Sequence, residues 1–312
     1  MNSPIIIFTY NRIKHLQTLL ESLKKNKSFE TSKVIVFSDS QKDENEKINI
    51  KKIRDHLKKN LISKNTEIIE RNSNLGLSKN IISGLNETFN IYDRAIILED
   101  DLELSPYFLE YMNNGLNHFS NFKNVASISG YMYPVNPKKF SNDYFFLKLI
   151  ESWGWATWKN SWKNFEPDSL KLKNEICKKN LLKEFDLDSG VSYYKMLKDN
   201  IEGKNDSWAI RWYASTFLKN MLTLFPNKSY VRNLGMDNTG ENCNYTNIYD
   251  TELNQKFEKN IKIDYLEVLS DKKVIKKFFK YSKYQRYLEF LTNPKKYQKH
   301  IKKTFKKVYF SF

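Results

Sequence analysis

The sequence predicts an α/β fold of three layers, with helices on both faces of a mostly parallel sheet. Two observations carry this. Short apolar runs alternate with helical periods through the first 130 or so residues, the pattern of strand–helix–strand units. The polar residues suited to chemistry fall just after those runs, where ligands bind in open α/β sheets. At 312 residues, 40% apolar and 15% aromatic, the chain has ample material for such a core.

Pro4 to Phe8 reads as the first strand. Thr9-Tyr10-Asn11-Arg12 follows, and then Ile13, Leu16, Leu19, Leu20 and Leu23 recur at helical spacing. Lys33 to Ser38 is the second strand and ends at Asp39. A polar loop, 40–46, leads to a basic helix around Ile48–Lys59. Thr66 to Glu70 is the third strand. Arg71 to Leu77 turns into a helix near Ser78 that runs to about Phe89. Ala95 to Leu98 is the fourth strand. Ser105-Pro106 opens another helix, with Ser as N-cap and Pro in the first turn; Phe108, Leu109, Met112 and Leu116 form its stripe. Val125–Ser129 is a further strand. An aromatic region follows, from Tyr131 through Trp153-Gly154-Trp155-Ala156-Thr157-Trp158 to Trp162. Residues 168–204 read as polar helix, and Asp206-Ser207-Trp208 opens another. Thr223–Phe225 and Ser229–Val231 are short strands, and 235–247 is a polar loop.

The fourth strand runs straight into Glu99-Asp100-Asp101. Adjacent carboxylates repel and cannot be buried unpaired. A hard divalent cation such as Mg²⁺ or Mn²⁺ would resolve the conflict. Tyr10–Arg12, Asp39, Asn72–Gly76 and Glu99–Asp101 all lie at carboxyl ends of successive strands, so parallel strands bring them to one crevice. Arg12 can pair with phosphate, Asp39 can accept from a base N–H, and Asp101 can hold a metal. Together they point to a nucleotide-diphosphate site. No GxGxxG or P-loop is present, so neither a Rossmann dinucleotide site nor a P-loop NTPase is favoured.

Lys and Arg number 52 against 36 Asp and Glu, a net charge of +16. Residues 271–312 hold 14 of the basic residues and 2 of the acidic ones; the rest of the chain carries 38 against 34. The nearly balanced body argues against nucleic-acid binding, and the basic tail suits an anionic surface. Cys177 and Cys243 form neither a metal-ligand pattern nor a disulfide framework, which suits a reducing cytoplasm. Met1-Asn2-Ser3 leads directly into a strand, so no signal peptide is expected. No apolar run approaches the roughly 20 residues that span a bilayer.

These blocks resemble the GT-A glycosyltransferases over roughly residues 4–245. The nearest pattern is that of N-acetylglucosaminyltransferase I and of bacterial transferases from surface-polysaccharide clusters. The strongest block is Ala95 to Glu103 with Pro106, Phe108, Glu110 and Tyr111. The resemblance implies a GT-A three-layer sandwich. It also implies Mn²⁺ or Mg²⁺ at Asp101, with Glu99 and Asp100 on the sugar and ribose side of a UDP-sugar donor. Arg12, beside Thr9 and Tyr10, would contact the nucleotide, and Asp39 would read uracil. Trp153-Gly154-Trp155 would lie near the sugar, and Asp206 would be the catalytic base of an inverting transfer. The family's uracil-contacting histidine has no counterpart; the helix after Gly76 offers Ser78 and Asn80, and Asn80 is taken as the donor contact. An N-cap is the structural alternative for Asp206, and core packing the alternative for the tryptophans. Asp237 and Glu241 are rival bases.

Bottom-up, glycosyl transfer needs a cation for the leaving diphosphate, a carboxylate for the acceptor hydroxyl and aromatic faces for sugar rings, and all three are supplied. A sugar-phosphate nucleotidyltransferase and a non-catalytic carbohydrate-binding protein on a transferase fold are the alternatives. The first lacks a Gly-rich phosphate loop, and the intact acidic triplet opposes the second. The expected division is a transferase domain over 1–265, with a nucleotide half to about 104 and an acceptor half over 105–265, then a basic aromatic helical tail over 266–312. In the tail, Ile275, Phe278, Phe279, Tyr284, Tyr287, Leu288 and Leu291 form one apolar series. Asn293-Pro294 interrupts it, and Tyr297, Ile301, Phe305, Val308 and Tyr309 form another, set among lysines. Such a helix reads as a membrane-surface element, with packing on the catalytic domain as the alternative. The expectation is a peripheral protein on the inner face of the plasma membrane, acting on a glycan or lipid-linked glycan.

Overall fold

Ile5-Ile6-Ile7-Phe8 has no polar residue to turn toward water, so its strand must be covered on both faces. The computed structural model describes residues 2–60, 65–140, 142–237, 239, 246–257 and 268–292, and it covers this strand on both sides. In chain order the elements are β1 (Ile5–Thr9), α1 (Ile13–Lys24), β2 (Val34–Ser38), α2 (Lys47–Asn60), β3 (Thr66–Glu70), α3 (Leu77–Ile91) and β4 (Arg94–Glu99). Then come β5 (Leu102–Leu104), α4 (Phe108–His118), β6 (Val125–Ser129), β7 (Tyr144–Leu147), β8 (Trp155–Trp158), α5 (Lys159–Trp162), α6 (Ser169–Lys178) and α7 (Leu182–Phe185). The chain continues with α8 (Tyr193–Ile201), α9 (Trp208–Leu218), β9 (Leu222–Pro226), β10 (Val231–Asn233) and α10 (Val268–Thr292).

Eight strands form one sheet in the order β3-β2-β1-β4-β8-β6-β9-β7. The first four pair in parallel. β8 runs against β4 and β6, and β7 against β9. Alternation along β1 sends Ile5 and Ile7 into one core and Ile6 and Phe8 into the other. The first core takes Leu16, Leu19 and Leu23 of α1, Ile53 of α2 and Met112 of α4. The second takes Ile81 and Leu85 of α3 with Trp208 and Trp212 of α9. This is the three-layer, mostly parallel α/β sandwich the sequence predicts. Each fully buried Ile or Leu contributes about 1.5–3 kcal/mol, so the strand ends are held on a stiff platform.

Two local expectations change. The N-cap of α4 is Tyr107, not Ser105. Ser105 sits in the turn that leads into the helix, its Oγ accepting from the Tyr107 N–H at 3.1 Å. The start of the tail's first apolar series lies against the domain. Ile275, Phe278 and Phe279 of α10 are buried, with Phe278 and Phe279 against Tyr133 at ring distances of 5.2 and 4.8 Å. Lys276 Nζ lies 3.3 Å from Asp188. Tyr284 of the same series is exposed. The second series, 297–309, lies outside the described residues, as do Glu241 and Cys243. Cys177 is exposed and free. No described helix is long and apolar enough to cross a membrane.

Candidate active site

β1, β2, β3 and β4 end on one edge of the sheet, and that edge gathers the acidic and basic residues. Asp100 follows β4 and is buried. Its Oδ2 accepts from Thr9 Oγ1 and from the Tyr10 N–H, both at 3.1 Å. Its Oδ1 accepts from Arg12 Nη2 at 2.6 Å. Asp100 thus fixes the loop after β1 from within the protein. The same Arg12 nitrogen donates to Asp101 Oδ2 at 2.9 Å. The Tyr10 hydroxyl donates to Glu46, and Asn11 Nδ2 donates to the other oxygen of that carboxylate at 2.9 Å.

Charge does not balance here, since three carboxylates meet one guanidinium. Burial, then Asp101 and Asp100, pushes the Glu99 carboxyl up to about 8, against the pull of Arg12. Burial raises Asp101 as well; Arg12 opposes that and Asp100 reinforces it. Burial works against the charge on Arg12, and Asp100 and Asp101 more than restore it. Glu99 is thereby held protonated near neutral pH, and a divalent cation could take the place of that proton. Among the described residues no three His, Cys, Asp or Glu side chains form a metal cage. Asp101, which Arg12 meets at 2.9 Å, is the carboxylate here that could serve as a metal ligand.

The loop after β10 lies on Asp101. The Leu234 N–H donates to the Asp101 carbonyl at 2.8 Å, and a Cβ at position 235 would collide with the Asp101 carboxylate. Only glycine permits that approach. Asp237, a rival base, is drawn to His15 Nε2 at 3.3 Å and accepts from the Thr239 N–H and hydroxyl at 2.9 and 2.6 Å.

Asp39 is buried. Its Oδ1 accepts from the Ser40 and Leu75 N–H groups, each at 2.9 Å, and its Oδ2 from the Gly76 N–H at 3.0 Å. It holds the 72–76 turn, in which Gly76 has φ +73°, a conformation that favours glycine. Asn80 is not open to a donor. It is buried on α3, and its Oδ1 is already taken, accepting from Arg71 Nε at 3.1 Å.

Trp155 is likewise no sugar platform. It is 1% exposed and stacks on Trp208 at 5.3 Å, since β8 is an interior strand whose side chains enter the two cores. Trp153 is half-buried, edge-on to Tyr131 at 4.6 Å. Gly154 has φ +62°, and its carbonyl accepts from the Gly130 N–H at 2.7 Å. Asp206 precedes α9, whose N-cap is Ser207, with Oγ accepting from the Ile210 N–H at 3.3 Å. The capping task is therefore filled by its neighbour. The Asp206 side chain is 70% exposed and 3.2 Å from Arg211 Nη2, which also donates to Ser78 Oγ at 2.5 Å. Trp208 stacks on Trp155, and Trp155 pairs with Ile97 near the end of β4. That stack sets the start of α9 on the same edge as Asp101.

Glu46, His15, Gly235 and Arg211 carry no sequence signal of their own; only the fold brings them here. Glu151 does carry one, an acid just before Trp153. It accepts from the Tyr133 hydroxyl at 2.7 Å and from the Ser152 N–H at 3.0 Å. Burial raises its carboxyl, with Tyr133 pulling the other way.

Residues 5–173 match the family described as Glycosyl transferase family 2. Among curated proteins no sequence matches. Among solved structures, S. aureus TarS 1–349 is similar at 16% identity and TM-score 0.36, over 53% of this chain and 49% of that one. This chain thus covers about half of that TarS chain. The mannosyltransferase PcManGT from Pyrobaculum calidifontis, solved with GDP-Man and Mn²⁺, is similar at 10% identity and TM-score 0.40, over 70% of this chain and 69% of that one.

Proposed function

This chain belongs to glycosyl transferase family 2, and from that premise we propose a metal-dependent, inverting transfer from a UDP-sugar to a glycan or lipid-linked glycan in bacterial surface-polysaccharide synthesis. Glycosyltransferase activity follows from the family. The observation that carries the finer reading is the crowding of Glu99, Asp100 and Asp101 at the end of β4, where Arg12 pairs with Asp100 and Asp101. Asp101 is the metal ligand, and Mn²⁺ or Mg²⁺ there would neutralise charge on the leaving diphosphate. Arg12, fixed by Asp100, lies beside the same phosphates. Asp206 takes the acceptor hydroxyl proton as the acceptor oxygen attacks the anomeric carbon. The bond from that carbon to the diphosphate breaks, and the diphosphate leaves with the electron pair. Trp153 is the aromatic face left to carry a sugar ring.

Incubation with a panel of nucleotide sugars should release diphosphate from a UDP-sugar when Mn²⁺ or Mg²⁺ is present. Release from none of the panel would overturn the reading. Asp206→Asn should lower kcat by about 10²–10⁴-fold and leave donor affinity nearly unchanged, and NMR of the product should show an inverted anomer. A retained anomer would remove Asp206 from the role.

A membrane acceptor is supported by the outer face of α10, where Lys273, Lys277, Lys280 and Lys283 are exposed beside Tyr281 and Tyr284. Attraction to anionic lipid is worth about 1 kcal/mol per lysine near the surface. The protein should sediment with anionic liposomes at low salt, and Glu at these four positions should abolish it. Failure of the wild-type chain to sediment would remove the peripheral-membrane reading.

A further inference from the structure

β5 and β10 form a small antiparallel sheet directly downstream of Asp101, with Arg232 opposite Glu103 and Asn233 opposite Leu102. Leu102 and Leu104 are buried in the core that also holds α1. Strand alternation puts Glu103 on the other face. On that face lies an open depression of about 510 Å³, lined by Glu103, Arg232, Asp250, Thr251, Glu252, Leu253 and Gln255. Arg232 donates from Nε to Asp250 Oδ1 at 2.6 Å and from Nη2 to Oδ2 at 2.9 Å. Its Nη1 lies 3.7 Å from Glu103. The Asp250 Oδ1 also accepts from the Thr251 N–H at 3.0 Å. The guanidinium and Asp250 are thus preset, while the carboxylates of Glu103 and Asp250 are 34% and 44% open.

Three properties select the ligand. The volume lies in the range of small-ligand sites. The wall mixes polar and apolar surface in about equal measure, with Leu253 beside the hydrogen-bonding side chains, which suits a ring that carries hydroxyls on its rim and C–H bonds on its faces. Three carboxylates against one guanidinium repel an anion. The position selects the role. Glu103 is two residues beyond Asp101, roughly 7 Å along an extended chain, and β10 continues into the Leu234–Gly235 segment that lies on Asp101.

We propose that this depression is an acceptor subsite that takes a neutral or amino-bearing sugar unit and discriminates against uronate- or phosphate-bearing ones. The proposal rests on the transferase reading above, and its test separates the two. Saturation-transfer NMR on the full chain would use lactose, cellobiose and N,N′-diacetylchitobiose as neutral probes and glucosamine as the amino-bearing one. Glucuronic acid and glucose 1-phosphate are the anionic probes. At least one neutral or amino-bearing probe should bind, and the anionic probes should not. The double variant Glu103→Lys/Glu252→Lys should weaken the bound probe tenfold or more and let glucuronic acid bind. Donor hydrolysis without acceptor should stay within about twofold in that variant, since neither residue touches the metal or diphosphate. Binding of no neutral or amino-bearing probe, or binding unchanged by the charge reversal, overturns the subsite. Absence of donor hydrolysis in the wild-type chain overturns the transferase mechanism instead, and the NMR result stands apart from it.

Discussion

Asp101→Asn should abolish sugar transfer without lowering the melting temperature. The two halves of this result come from the same charge imbalance. Asp101 is the proposed anchor of a divalent cation that stabilises the leaving diphosphate, a contribution of several kcal/mol. Each 1.36 kcal/mol is a factor of ten in rate, so the loss should reach about 10³-fold or more. The fold needs the carboxylate far less. Arg12 keeps its 2.6 Å contact to Asp100, and Asp100 keeps Thr9 and the Tyr10 N–H. Removing one of three crowded carboxylates also relieves repulsion on Glu99, which Asp101 raises more than any other neighbouring charge does. The protein should therefore melt at an unchanged or higher temperature, the trade between stability and function seen at strained sites. Diphosphate release with Mn²⁺ measures the first half and calorimetry the second. Wild-type turnover that persists in EDTA would sink the metal reading. A large fall in melting temperature would show Asp101 to be a structural partner of Arg12.

How much of this was legible in the chain depends on how abruptly the pattern changes. Ala95 to Leu98 running into three acids is abrupt, so β4 and its carboxylates could be read directly. So could β1 and β2, whose Tyr10–Arg12 and Asp39 fall on the same edge once the strands are parallel. What Asp39 holds could not be read, because its partners are backbone N–H groups 35 residues or more downstream. Trp155-Ala156-Thr157-Trp158 was opaque for another reason. A strand buried on both faces has no alternation, so an aromatic core strand and an exposed aromatic platform look alike in sequence. β5 and β10, three residues each, fall below any period. Their pairing across more than 120 residues makes the wall of the depression. For Asn80, helical spacing could have given its burial: it lies one turn before Gly84, on the flank of the Ile81, Leu85 and Thr88 stripe.

The tail shows the limit of periodicity most clearly, and it sets the second large effect. The sequence reveals an apolar face on 275–279 but not what covers that face. The structure covers it with tyrosines of the body of the protein. Phe278 meets Tyr133 and Tyr249, and Phe279 meets Tyr133 and Tyr193. Beneath them the Tyr133 hydroxyl donates to the half-buried Glu151, which leads into Gly154 and β8. Removing a buried phenylalanine costs about 3–5 kcal/mol, a large share of a stability of about 5–15 kcal/mol. Phe279→Ala should therefore lower the melting temperature by at least about 5 °C. Ending the chain before α10 should do more, since it would open Tyr133, Tyr193 and the carboxyl of Glu151 to water together. Exchanging Lys273, Lys277, Lys280 and Lys283 for Ala should leave the melting temperature within about 2 °C, because exposed charges contribute little. The two faces of α10 thus separate in one experiment: calorimetry reads the phenylalanine face and liposome sedimentation the lysine face. A Phe279→Ala protein that melts with the wild type would mean that the helix does not rest on the domain, and the tail would return to a separate element.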